Sequence, residues 1–133
     1  MGASFYRNSE VCVLVFDLTT EESFKNIDTW RQEFLNILNP PEGDKYPFVL
    51  VGNKNDMKSE IKITEEQIST YCQNHNNMSY YSASAKDGIN LDDIFNKVAE
   101  LAFERYNKSE ENLVPEVKYI KIDKKEELKK RCC

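Results

Sequence analysis

Three side chains in the stretch "VGNKND", Val51 to Asp56, are of types that can hold a small polar ring. Asp56 offers two acceptor oxygens side by side. Guanine presents two adjacent donors, its ring N1–H and its exocyclic amine, whereas adenine has an acceptor at the ring position. A desolvated Asp therefore selects guanine, through charge-assisted bonds about twice as strong as neutral ones. Asn53 can bond the other edge of the base and tie the loop to its neighbours. Lys54 carries an apolar stem long enough to lie over a purine face. A second stretch, "SASAKDG" from Ser82 to Gly88, supplies matching parts. Ala85 is small, so its backbone N–H can approach a base carbonyl. Ser84 can brace the loop through its hydroxyl, Lys86 can cover the base from the opposite side, and Gly88 eases the turn. Alone, Asn-Lys-x-Asp reads equally well as a polar loop, and Ser-Ala-Lys means little. Together, each after a strand and with 28 residues from Asp56 to Ser84, they form a strong signal.

The elements that must position these loops are written in the hydrophobic pattern. "VCVLVFD", Val11 to Asp17, is a near-continuous apolar run that reads as a strand buried on both faces. Thr19 and Glu22 are spaced as a capping box, and Phe24, Ile27, Trp30, Phe34 and Leu38 then form one apolar helical stripe. "NPPEGDKYP" breaks it. Phe48 to Gly52 is a second buried strand. Thr64 and Gln67 make another capping-box pair, opening a helix to about His75 with Ile68, Tyr71 and Cys72 inward. Met78 to Ser84 reads as a weaker third strand. Leu91, Ile94, Phe95, Val98, Ala102 and Tyr106 mark a last amphipathic helix, with Asn90 as its cap. Phe24, Trp30, Phe34, Phe95 and Tyr106 are expected in the core and His75 on the surface. Strand and helix alternating three times imply a parallel sheet with right-handed crossovers. Ligands of such folds bind beyond the carboxyl ends of the strands, where both loops lie.

Composition narrows the class. The 133 residues suit one domain, with 40% hydrophobic and 31% charged residues. No apolar run approaches the roughly 20 residues of a membrane span. "MGASFYRNSE" has neither a basic n-region nor an apolar h-region, and Tyr6 breaks the N-myristoylation pattern after Gly2. The net charge of −5 is uneven: Val117 to Arg131 holds seven basic and three acidic residues, leaving an acidic body and a basic tail. That distribution argues against a nucleic-acid partner and suits an anionic membrane surface. Cys12 and Cys72 read as buried thiols of a reduced compartment, with no zinc spacing.

Taken together, "VLVFDLTTEESFKNIDTWRQEFL", "FVLVGNKND" and "SASAKDGINLDDIFNKVA" resemble, in order and spacing, a Rab-type small GTPase of the Ras superfamily. "GASFYRNSEVCVLVFDLT" and the Cys-Cys ending look closest to its late-endosomal and vacuolar branch, the Rab-seven group. The resemblance implies an α/β fold: the C-terminal half of a P-loop-type G domain, three parallel strands alternating with three helices, the sheet incomplete. Residues 1–106 would be the base-recognition half, and residues 107–133 a flexible basic tail. It implies guanine recognition by Asn53, Lys54, Asp56, Ser84, Ala85 and Lys86, with GTP or GDP as ligand. It also implies geranylgeranylation of Cys132 and Cys133, since two lipid chains beside a basic segment anchor stably where one is marginal. Effectors, an escort protein and a GDP-dissociation inhibitor are the implied partners. The implied location is cytoplasmic, peripheral on the cytosolic face of late endosome, vacuole or lysosome. One departure is that Ser82 and Ala83 stand where the family often has Glu-Thr.

The family's chemistry also needs a Gly-x-x-x-x-Gly-Lys-Ser/Thr phosphate loop, a Mg²⁺-holding hydroxyl, an Asp-x-x-Gly switch and a water-orienting glutamine. Glycines occur here only at 2, 43, 52 and 88, and no Asp has a Gly three residues later. The family would place those parts before Met1, and Mg²⁺ would belong only to a longer form. The expectation is that this polypeptide alone neither hydrolyses GTP nor binds it tightly, and that no catalytic residue lies within it. A strand left without its family neighbour would expose an apolar edge. The competing reading is a non-enzymatic interaction fragment, or aberrant gene model, with a vestigial guanine pocket. A flavodoxin-like mononucleotide binder is disfavoured, having no use for the paired loops.

Overall fold

The computed structural model describes residues 3–111, and Cys132 and Cys133 lie outside them. In chain order the elements are β1 (Cys12–Asp17), α1 (Glu21–Lys25), α2 (Ile27–Leu38), β2 (Phe48–Asn53), α3 (Glu65–Asn74), β3 (Ser79–Ser82) and α4 (Leu91–Glu111). The three strands are parallel, in the order β1-β2-β3. The three expected helical segments are present, the first divided at Asn26, and α4 runs on past Tyr106 to Glu111.

Alternation along the strands sorts the core into two layers. Leu14, Phe16 and Leu50 point to one face and pack with Ile27 and Phe34 of α2 and Ile68 and Cys72 of α3. Val49 and Val51 point to the other face, where Ala83 and Ile94 complete a smaller cluster flanked by Leu91, Val98 and Leu101. One helix, α4, covers that second face, and it does not reach β1. Val13 and Val15, in register with Val49 and Val51, are 39% and 58% exposed. β1 is therefore buried on one face, not both. An apolar run reports hydrophobicity, not how many helices arrive to cover it. Among the described residues β1 pairs only with β2, so its outer backbone groups form a free edge. No helix among the described residues is long and apolar enough to cross a membrane.

Several local expectations are corrected. Thr20, not Thr19, precedes α1, and it makes no side-chain cap bond. The Thr19 hydroxyl donates instead to Asp17 Oδ1 at 2.7 Å. Of the expected core aromatics, Phe34 is buried and Phe24 partly so, but Trp30, Phe95 and Tyr106 are exposed. The central slot of the α2 stripe belongs to Arg31, only 3% exposed. Residues 27, 31, 34, 35 and 38 share one helical face, and Trp30 falls on its flank. His75 is mostly enclosed, its ring 4.1 Å from that of Tyr71 and its Nε2 3.4 Å from Asp28 Oδ1. Cys12 is half-buried and Cys72 buried, both as free thiols, and burial pushes the Cys12 thiol up to about 12. The Thr64–Gln67 capping box forms as expected.

Candidate functional site at the carboxyl rim of the sheet

β2 ends at Asn53 and β3 at Ser82, adjacent parallel strands whose following loops share one rim. Backbone bonds first lock the two loops together. Ala83 N–H donates to Gly52 O at 2.8 Å, and Asn55 N–H to Ala83 O at 2.9 Å. Both bonds come from the main chain at Ala83 and need no side chain there. The second loop closes on itself through reciprocal bonds between Ser84 and Ile89, with Gly88 at φ +70° making the return.

Side chains then join the loops twice. Ser84, wholly buried, donates its hydroxyl to Asp56 Oδ1 at 2.6 Å and accepts the Asp87 N–H at 3.1 Å. Ala85 N–H donates to Asn53 Oδ1 at 3.0 Å. All six sequence-expected residues therefore sit together: Asn53, Lys54, Asp56, Ser84, Ala85 and Lys86. The Ser84 bond, with Lys86 and Lys54 nearby, holds the Asp56 carboxyl below its ordinary value, so it is an ionised acceptor at neutral pH. Ser84 and the Asp56 backbone N–H take part of the carboxylate's acceptor capacity, and the rest of its roughly four lone-pair sites face outward from these bonds.

Two details differ from expectation. The Ala85 N–H faces Asn53 in this structure, not a base carbonyl. Lys54, in the left-handed region at φ +68°, sends its ammonium to Asp17 Oδ2 at 2.6 Å. Asp17 is a residue sequence reasoning missed. It ends β1 directly opposite Asn53 in the register, so its carboxylate stands beside the start of the loop. Burial works to raise the Asp17 pKa. The bonds from Lys54 and from the Thr19 hydroxyl and N–H outweigh it and bring the value to about 2. Asn90 is a second missed tie. Its φ is +61°, and its side-chain nitrogen donates to Ser82 O at 2.6 Å, so it ties the end of β3 as well as preceding α4. The signal for Asp17 was the strand register, which the sequence alone leaves open.

The rim gathers a fixed carboxylate acceptor with amide and lysine groups around it. Among the described residues no group of three or more His, Cys, Asp or Glu gathers to hold a metal ion. Nor does any stretch of the sequence have the glycine spacing of a phosphate loop.

Comparison with known proteins gives the family. The Ras family model matches residues 1–104. "Ras-related protein Rab-7b" of Paramecium octaurelia is 37% identical over 134 residues, covering 100% of this chain and 65% of that protein. "Ras-related protein Rab7" of Drosophila melanogaster is 42% identical over 104 residues, covering 78% and 50%. "Ras-related protein Rab-7a" of Dictyostelium discoideum is 36% identical over 102 residues, covering 77% and 50%. The chain spans about half to two-thirds of the length of these relatives. With three-quarters of its residues inside the family match and relatives of one name aligned along it, the chain belongs to the Ras family, as a Rab7-like small GTPase sequence.

Proposed function

We propose that the rim formed by Asn53, Lys54, Asp56, Ser84, Ala85 and Lys86 recognises the guanine base of GTP or GDP, and that the chain serves a Rab-type role in vesicle traffic at late endosomal or vacuolar membranes. The observation that carries this reading is the 2.6 Å bond from buried Ser84 to Asp56, which fixes a paired acceptor at the mouth of two loops. Charge-assisted recognition by such a pair discriminates guanine from adenine by donor and acceptor placement alone. Cys132 and Cys133 would carry geranylgeranyl groups, and the basic tail would add attraction to anionic lipid. Effectors, an escort protein and a GDP-dissociation inhibitor are the partners this role requires. Mg²⁺ and the phosphate-handling chemistry belong to parts not found in these 133 residues, so no hydrolytic step is assigned to any of them.

The test is a titration of the ¹⁵N-labelled chain with guanosine and with adenosine. Guanosine should give saturable shifts at the Asn53, Asp56 and Ala85 amides, with weak affinity because no phosphate contact contributes. Adenosine should not. Equal responses to both nucleosides would overturn the reading. For the anchor, mass spectrometry of the cellular protein should find two prenyl additions, and free thiols there would remove that part.

A further inference from the structure

A second cleft lies at the amino ends of β2 and β3, away from the guanine rim, with a volume of about 280 Å³. Its wall includes Arg31, Phe48, Met78 and Leu101. Arg31 stands in the middle of the inward stripe of α2, its side chain only 4% exposed, with its guanidinium over the Phe48 ring at 5.4 Å. A guanidinium carries five N–H donors and cannot shed its charge. Among the described residues its one hydrogen-bond partner is Asp44, reached from Nη2 at 3.0 Å. Asp44 is 78% exposed, standing at the mouth on the turn Gly43–Lys45. Arg31 Nε is sealed from solvent with no partner. A buried cation with one peripheral counter-charge is under-coordinated, an expensive arrangement unless another acceptor arrives.

The rest of the wall says what that acceptor is. Arg105, on the far side, is already occupied by Glu10, Glu42 and the Ser9 carbonyl and lies over the Tyr46 ring at 4.8 Å. Arg31, Arg105, Lys45 and Lys108 meet three carboxylates in the wall, Glu42, Asp44 and Glu104. That leaves a margin of one positive charge, which a single carboxylate matches and a phosphate dianion exceeds. Buried Phe48 and Met78 offer apolar surface to the carbon next to that charge. We propose that the cleft between α2, α4 and the amino ends of β2 and β3 binds a carboxylate group that completes the coordination of Arg31, presented by an acidic peptide side chain or by a small organic acid. Asp44 holds the site partly closed by competing for the same guanidinium.

The experiment is an NMR titration of the full chain, observing the Arg31 Nε–H and the Met78 methyl. The probes are acetate and the neutral-ended peptide acetyl-Leu-Glu-amide, with chloride and inorganic phosphate at matched ionic strength as comparisons. Both carboxylates should give saturable shifts and phosphate should not. A peptide bound far more tightly than acetate identifies a peptide as the source, and equal binding identifies a small acid. Arg31→Lys keeps the charge but loses the fork, and should weaken binding about tenfold or more. Asp44→Asn keeps the shape of the turn and should tighten binding several-fold by removing the competitor, with the dispersion of the same spectra reporting that the variant is folded. No saturable shift, tighter binding of phosphate, or unchanged or weaker binding by Asp44→Asn would each overturn the proposal. The last holds even if Arg31→Lys fails to fold.

Discussion

Gly52, just before the candidate site residues of the rim, is there for space, and replacing it with Ala reads out how tightly the rim is held. A Cβ built at this position lies 2.8 Å from Tyr80 Oη, 3.0 Å from Leu18 Cδ2 and 3.1 Å from Leu18 Cγ. Neither neighbour gives way freely. Leu18 is 3% exposed, and the Tyr80 ring is stacked on Phe16 at 6.4 Å. Overpacking of this kind costs about 1–3 kcal/mol, less the roughly 0.4–1 kcal/mol gained by restricting the unfolded chain, for a net loss of about 1–2 kcal/mol. The strain enters β2 one residue before Asn53, so the 3.0 Å tie from Ala85 should lengthen and the Ala85 amide resonance should move. Tyr80→Phe removes the nearest clashing atom together with a buried hydroxyl that has no partner among the described residues. Alone it should be close to neutral. Combined with Gly52→Ala it should recover about half the loss, since the Leu18 contacts remain. Urea unfolding followed by far-ultraviolet circular dichroism gives all four corners of the cycle. A Gly52→Ala variant as stable as the parent, or strict additivity with Tyr80→Phe, would refute the packing argument.

Asp17→Asn removes the acceptor of Lys54 and should cost about 1 kcal/mol, the upper end for a partly exposed pair. The sign with pH follows from the lowered value. The Asp17 contribution is complete above the unfolded carboxylate pKa of about 3.9 and is lost as pH falls toward about 2. Acid unfolding curves of parent and variant should therefore converge in that window, and a constant offset down to pH 2 would count against the pair. Val13→Thr with Val15→Thr alters only the exposed face of β1. It should shift unfolding by less than about 0.5 kcal/mol while lengthening the aggregation lag seen by light scattering. An unchanged lag would show that this face is not the sticky one.

Much of the fold was legible because strand–helix alternation leaves few topologies, and parallel order alone places the loops after Gly52 and Ser82 on one rim. The meeting of Asp56 with Ser84 and of Asn53 with Ala85 follows from that. Less legible were features decided by choices between near-equal partners. Lys54 can lie over a base or reach a carboxylate, and only the register that sets Asp17 opposite Asn53 decides it. Trp30 looks like a core residue and Arg31 like a surface one, yet the phase of α2, set by Ile27 and Phe34, reverses them. The two-sided burial expected of β1 failed because α4 is the one helix on its face, a count that no local pattern contains.

The most direct measurement of guanine readout compares guanosine with xanthosine on the parent chain and on Asp56→Asn. Xanthine carries a carbonyl where guanine carries its amine. Because Ser84 donates to Oδ1, the oxygen of an asparagine keeps that place and its amide nitrogen takes the other. The parent should favour guanosine and the variant xanthosine, each by about tenfold or more. A parent that binds the two nucleosides alike, or a variant that still prefers guanosine, would contradict the assignment of Asp56 as the base reader.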